Sequence, residues 1–177
     1  MFALTGAALP APRAQGLVVT VLQAQYANAS HAQALVQLLD MYAQDPMGGS
    51  KALGDFAKQN LVAELARRST AFSVLAFANG APVGLVNCLE GFSTFACKPL
   101  VNVHDVAVAP AYRGQGIAKQ MLQLVQRIAQ QRGACKLTLE VLQGNAVAMR
   151  SYQQFGFTGY QLNATAGQAI FLQKWLA

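Results

Sequence analysis

The residue types that could do chemistry gather in one stretch, residues 103–118, which reads Val-His-Asp-Val-Ala-Val-Ala-Pro-Ala-Tyr-Arg-Gly-Gln-Gly-Ile-Ala. An alternating apolar segment is stopped by Pro110, a turn carries Arg113, Gly114 and Gly116, and an amphipathic pattern follows at once. A strand that feeds a glycine turn at a helix N-terminus is an anion-binding device. The first helical N–H groups have no partner within the helix, and the macrodipole favours negative charge there. Glycines let a pyrophosphate approach the backbone because no Cβ intervenes. Arg113 adds a permanently charged fork beside it.

Two common nucleotide motifs fit this stretch poorly. Gly114-Gln115-Gly116 could open a dinucleotide fingerprint, with Glu140 as its ribose acid, but Lys119 stands where the third glycine belongs. Residues 109–113 also separate the strand from the glycines, whereas that fingerprint follows its strand directly. A Walker loop needs Gly-Lys-Ser/Thr, which is absent.

The spacing Arg-x-x-Gly-x-Ala at Arg113, Gly116 and Ala118 resembles the acyl-coenzyme A signature of the GNAT-type N-acetyltransferases, as does the run into it. Downstream, Asn145 through Ala148 and Tyr152 through Gly156-Phe157 resemble that superfamily's second signature. Together they cover residues 100–158; the N-terminal half matches only in its order of elements. The resemblance implies an α/β (α+β type) GNAT fold: a mixed, twisted central sheet of about seven strands, helices on both faces, and a splay between the fourth and fifth strands. It implies acetyl-CoA as cofactor and direct transfer of an acetyl group to the primary amine of a small molecule or amino-acid-like acceptor. A non-catalytic acyl-CoA-binding module and a protein N-acetyltransferase are the rival readings. Homodimerisation follows by analogy only.

Carried over residue by residue, the resemblance assigns cofactor contacts to Val106, Ala107 and Val108, to Arg113, Gly114, Gln115, Gly116, Ile117, Ala118 and Lys119, and to Asn145, Ala148 and Tyr152. The pantetheine arm would pair with the strand at Val106 and Val108 like a further strand. The thioester is already activated, so no nucleophilic residue is required. The Val106 N–H matches the family's oxyanion donor, and Tyr152 matches the tyrosine beside the departing sulfur. Tyr152 also shares a helical face with Ala148 and Phe155, which is the pattern of a core tyrosine, but the Tyr-x-x-x-Gly-Phe match favours the functional reading. Asn145 is a good N-cap in its own right. His104 matches a histidine of the serotonin N-acetyltransferases, and an imidazole suits proton acceptance at neutral pH. Strict alternation puts it on one strand face with Asn102, Val106 and Val108, and Asp105 on the other. Glu90 and a water chain are the alternative bases. Asp45 and Glu90 could attract a cationic acceptor, with Phe92 and Phe95 as an apolar wall between the first two helices and the loop 91–98.

These groups need a scaffold, and the pattern supplies one. Residues 17–22 read as a strand. Ser30 with Gln33 forms a capping box ahead of the stripe Leu35, Leu38, Leu39 and Tyr42, which Asp45-Pro46 ends. A second helix covers 56–68. Strands at 72–78 and 83–89 flank the hairpin signal Asn79-Gly80. A strand at 100–108, a helix at 115–131, a strand at 136–142, a helix from Asn145 to Gly156, and closing strands at 157–162 and 169–175 complete the order.

Length and composition bound the rest. The 177 residues suit one domain over 17–177, preceded by a loose Ala/Pro/Gly-rich tail over 1–16. With 54% hydrophobic and 11% charged residues, the chain is not of disordered type. No apolar run nears the roughly 20 residues of a membrane helix. The net charge of +6 is scattered, with Arg67-Arg68 the only adjacent basic pair, which suits a polyanionic cofactor better than nucleic acid. Cys88, Cys97 and Cys135 lack the spacing of a disulfide framework or zinc site, so no metal is expected. Without a basic start and apolar core to residues 1–16, the expected compartment is the cytoplasm.

Overall fold

Strands β1 (Val19–Gln23), β2 (Ala71–Ala78), β3 (Ala81–Ser93) and β4 (Lys98–Val108) pair antiparallel in sequence order, and β5 (Leu137–Leu139) joins β4 in parallel. In this computed structural model the described residues are 17–161, 163, 165, 167 and 169–176. The tail expected over 1–16 therefore lies outside them. Helices α1 (Ala29–Ala43) and α2 (Asp55–Ala66) cover one face of the mixed sheet, and α3 (Ile117–Gln131) covers the other. Helix α4 (Ala146–Phe155) follows β5 and packs Tyr152 and Phe155 against the α3 side of the core.

Each element has a local cause. The β2–β3 turn is Asn79-Gly80 with φ of 48° and 84°, the doubly positive pair that matches strand twist. Helix α3 buries Ile117, Met121, Leu122, Val125 and Ile128 on one stripe. Helix α1 is capped two residues earlier than the Ser30–Gln33 box predicts: Asn28 Oδ1 accepts from the N–H groups of Ser30 and His31 at 2.9 and 3.1 Å, and Ser30 lies inside the helix.

The strands differ from expectation in length. The expected loop at 91–98 is largely β-structure, because β3 continues to Ser93 and β4 starts at Lys98, leaving a tight turn over 94–97. Strand β5 is three residues long, and the sheet has five strands among the described residues, not seven. Of the expected closing strands, Leu162 lies outside the described residues. At the described positions Gln161 carries an isolated bridge, the Ala169 N–H donates to Tyr160 O at 3.2 Å, and the Phe157 N–H turns back to Tyr152 O at 3.0 Å. Apolar composition gives those segments strand propensity, but β5 offers only three residues of ladder to build on.

One irregularity controls the site. Asn87 pairs with Asp105 but Cys88 pairs with Val103, so His104 is the extra residue of a β-bulge. The faces of β4 exchange there. Val101 and Val103 lie in the core under α3, and beyond the bulge so do Val106 and Val108, while Ala107 belongs to the core under α1 and α2. The alternation expected from the sequence therefore fails. Asn102 and Val106 occupy opposite faces, and Asp105 falls on the α1–α2 face instead of the far one.

Candidate active site

Pairing of β4 with β5 stops at Val103–Leu139. Asn102 Nδ2 spans the point of divergence, reaching Thr138 Oγ1 at 3.3 Å and Glu140 Oε1 at 3.2 Å. Past that point the outer edge of β4 is unpaired by any strand among the described residues. The Ala109 N–H donates to Val83 O at 2.8 Å on the β3 side, so Val108 and Val106 turn their backbone groups toward the open edge. The Val108 carbonyl is already occupied: Arg113 Nε donates to it at 3.0 Å. Val106 is left as the exposed rung.

The glycine turn sits at the end of this edge. Gly114 and Gly116 both adopt φ of 75°, and a Cβ at either would meet nothing within 4 Å. Gly116 is the N-cap of α3 and brings no side-chain cap. Among the described residues, the N–H groups from Gly114 to Ala118 donate to no protein acceptor; the first bond of the helix is Gln120 N–H to Gly116 O at 3.1 Å. By contrast, Asn145 Oδ1 caps α4 through the Ala148 N–H at 3.1 Å. The turn is thus a row of open donors, as an anion cradle requires. Lys119 follows within the first turn of α3. Arg113 does not stand free beside this row. Its Nη2 meets Asp45 Oδ2 at 2.7 Å, and the guanidinium holds the Asp45 carboxyl below the usual carboxylate range, helped by the Met47 N–H. The pair ties the cradle to the loop after α1.

A cavity of about 340 Å³ opens beside the bulge. Leu39 of α1, Leu61 and Leu65 of α2, Leu53 between them and Leu89 of β3 make its apolar wall. Its polar groups are Tyr42, Asn87, His104 and Asp105. Burial, and after it the charges of Asp105 and Asp45, push the Tyr42 phenol above its ordinary value. Tyr152 is pushed up to about 12, chiefly by burial and then by Tyr42, which puts the two phenols within electrostatic reach. Among the described residues the Tyr152 hydroxyl has no hydrogen-bond partner in the protein; its ring meets Phe157 edge-on at 6.0 Å.

The structure gathers His104 and Tyr42 with Asp105, and sets Val106 on the adjoining edge. It does not bring the other expected acceptor residues to this cavity. Glu90 pairs with Arg132 at 3.2 Å, and that guanidinium lies 4.6 Å over the Phe72 ring. Phe92 and Phe95 sit at the exposed end of the β3–β4 hairpin. Asp45 is spent on Arg113. Sequence reasoning missed Asn87 and Asp105 as cavity groups. The available signal was a lone amide inside the apolar run 83–89, since a polar group buried in a strand must find a partner. A second cavity, of about 310 Å³, lies at the far end of α3 beside Phe155 and Phe157. Among the described residues no three His, Cys, Asp or Glu side chains could together hold a metal ion, and no helix is long and apolar enough to cross a membrane.

Gly48 sets the outer wall of the main cavity. A Cβ there would overlap the Tyr42 carbonyl oxygen and come within 2.8 Å of its carbon. The backbone cannot yield as a side-chain tip does, so Gly48→Ala should displace the loop. The expected cost is roughly 1–3 kcal/mol, a fall in Tm of about 2–10 °C by thermal melting. An unchanged melting point would mean that the loop is not held against α1.

Comparison with known proteins agrees with this geometry. A sequence model of the acetyltransferase (GNAT) family matches residues 33–157. Streptothricin acetyltransferase of Streptomyces lavendulae is 36% identical over 78 residues, 42% of this chain and 41% of that protein. The [ribosomal protein bS18]-alanine N-acetyltransferase of Haemophilus ducreyi is 38% identical over 64 residues, 34% of this chain and 44% of that protein. The chain thus spans about two fifths of the length of these curated relatives. Among solved structures, the aminoglycoside N-acetyltransferase AAC(6')-Iy in complex with CoA superposes with a TM-score of 0.71 at 20% identity, over 92% of this chain and 99% of that one. An aminoglycoside acetyltransferase from an uncultured soil metagenomic sample gives 0.73 at 15%, over 90% and 97%. These likenesses show the fold, and the family match covers most of the chain. A strand splayed at a bulge, an uncapped glycine turn and the family pattern running through both place this chain in the acetyltransferase (GNAT) family.

Proposed function

We propose that the protein transfers an acetyl group directly from acetyl-CoA to the primary amine of a small molecule or amino-acid-like acceptor. The observation that carries the reading is a single continuity: open amides from Gly114 to Ala118, then the unpaired β4 edge at Val106, then the cavity holding His104. The chain's own residues fit a diphosphate followed by a thin extended arm. The amides and Lys119 receive the diphosphate, and the edge of β4 offers backbone groups for strand-like pairing. By the family resemblance, Asn145 and Ala148 of α4 would also contact that arm.

When bound, acetyl-CoA supplies an acyl group activated as a thioester. The Val106 N–H would stabilise the negative charge that develops on the acyl oxygen. His104 would take the proton that the acceptor ammonium must shed before its lone pair can attack, and Tyr152 would give its proton to the departing sulfur. The second proton, shed by nitrogen as the amide forms, would restore the Tyr152 phenol, and His104 would return its own to solvent. Burial holds the Tyr152 phenol protonated but also makes it a weaker acid than an ordinary phenol, so its role rests on its place in the family pattern and not on its acidity. A walled cavity supports a small acceptor over a protein segment, which needs an open groove. The unbridged thiols Cys88, Cys97 and Cys135 support a reducing, cytoplasmic setting.

The test is a panel of primary amines with acetyl-CoA, read by release of free thiol. Turnover of at least one amine is expected. Coenzyme A binding without thiol release on any amine supports the non-catalytic reading instead.

A further inference from the structure

The α1–α2 face of the sheet carries a row of polar side chains that the transfer chemistry does not use. Ser73, Asn87 and Asp105 are direct cross-strand partners on β2, β3 and β4. Tyr26, from the segment between β1 and α1, completes the row. Its hydroxyl lies 3.1 Å from Ser73 Oγ; Ser73 Oγ donates to Asn87 Oδ1 at 2.7 Å, and Asn87 Nδ2 donates to Asp105 Oδ2 at 3.0 Å. Ser73 gives its only proton to Asn87, so Tyr26 must be the donor to Ser73. Every bond therefore points one way, toward the Asp105 carboxylate. Ser73 and Asn87 are buried, and such a row persists in a core only when each member is satisfied.

Asp105 stands where the row reaches the cavity. Four of the chain's acids, Asp40, Asp45, Glu64 and Glu90, have cationic partners, whereas Asp105 has none among the described residues. Among the described residues it is the one carboxylate in the cavity wall, in a protein of net charge +6. The rest of that wall is mainly leucine, and the volume sits at the small end of ligand pockets, roughly 300–1,000 Å³.

We propose that the acceptor is a compact primary amine with one positive charge on an apolar body, that the Asp105 carboxylate receives its ammonium, and that Tyr26, Ser73 and Asn87 are positioning residues for that carboxylate. The inference rests on the transferase reading for the role of the cavity. A second ammonium on the acceptor would lie against leucine with no carboxylate to meet it. Polycationic amino sugars are therefore poor ligands for this cavity.

The probes are hexylamine, hexanol as its neutral counterpart, and sisomicin as a polycation, each titrated by calorimetry into the full chain saturated with coenzyme A. Hexylamine is expected to bind at least tenfold more tightly than either of the others. Asp105→Asn should weaken hexylamine at least tenfold and leave hexanol and coenzyme A affinities as they were, which also reports an intact fold. Ser73→Ala should weaken hexylamine severalfold with the same selectivity. Hexylamine binding that is absent, unaffected by Asp105→Asn, or weaker than that of sisomicin overturns the proposal. The transferase reading fails separately: Asp105-dependent hexylamine binding with no thiol released from acetyl-CoA on any amine of the panel refutes it and leaves the cavity as an ammonium-binding site.

Discussion

Gly116→Asp is expected to abolish coenzyme A binding in a protein that still folds. The native glycine has φ of 75°, with no atom within 4 Å of where a Cβ would sit. An aspartate there meets no steric barrier to folding. It carries a left-handed penalty of roughly 1–2 kcal/mol, which short polar side chains partly relieve by local hydrogen bonding. Its carboxylate would cap the first N–H groups of α3, adding about 1 kcal/mol of helix stability. That same carboxylate would fill the cradle and repel a diphosphate. Hydrogen bonds to a charged group contribute about 1.5–3 kcal/mol each, so losing two lowers affinity by about 10²-fold or more. Calorimetry with coenzyme A reads the loss, and thermal melting should move by only a few degrees. Gly116→Ala separates strain from charge: it carries the φ penalty without the anion, and should retain most of the affinity. Affinity within threefold of the parent in Gly116→Asp would remove the cradle from the binding site.

That prediction draws on features legible in the sequence, because each is local. Pro110 ends a strand, Gly114 and Gly116 mark the turn where a pyrophosphate can approach the backbone, and the stripe of Ile117, Met121 and Val125 declares the buried face of α3. Asn79-Gly80 and Asn145 encode their turn and cap within a few residues. The features that escaped are long-range. Nothing near His104 announces a bulge. It arises from how β4 meets β3, yet it brings Asp105 to the cavity beside His104. The ion pair Arg113–Asp45 joins residues 68 positions apart, and Glu90 is drawn to Arg132 across 42. Phe92 and Phe95 looked like pocket walls because the hairpin that carries them away read as a loop. The row from Tyr26 to Asp105 unites four segments, each holding one unremarkable polar residue. Only strand register makes it a line.

The second large effect is expected from Tyr152→Phe, in two independent measurements. If Tyr152 gives its proton to the leaving sulfur, its loss should lower turnover by about 10²-fold or more, the usual contribution of a positioned acid. Coenzyme A affinity should change little, since the hydroxyl is the only group removed and no protein atom among the described residues bonds to it. An unchanged rate would return Tyr152 to a packing role. The same residue leaves a mark on stability. Its folded pKa of about 12 lies above the ordinary 10, because burial penalises the phenolate. Between those values the unfolded chain has lost a proton that the native state keeps, so stability falls as pH rises. The contribution is complete below about pH 10 and is lost on passing through about pH 12. Two units amount to about 3 kcal/mol. Denaturant melts from pH 9 to 12 should therefore show the parent losing stability faster than Tyr152→Phe, by up to that amount. Parallel curves would mean that the phenol is solvated in the native state and that burial does not raise it.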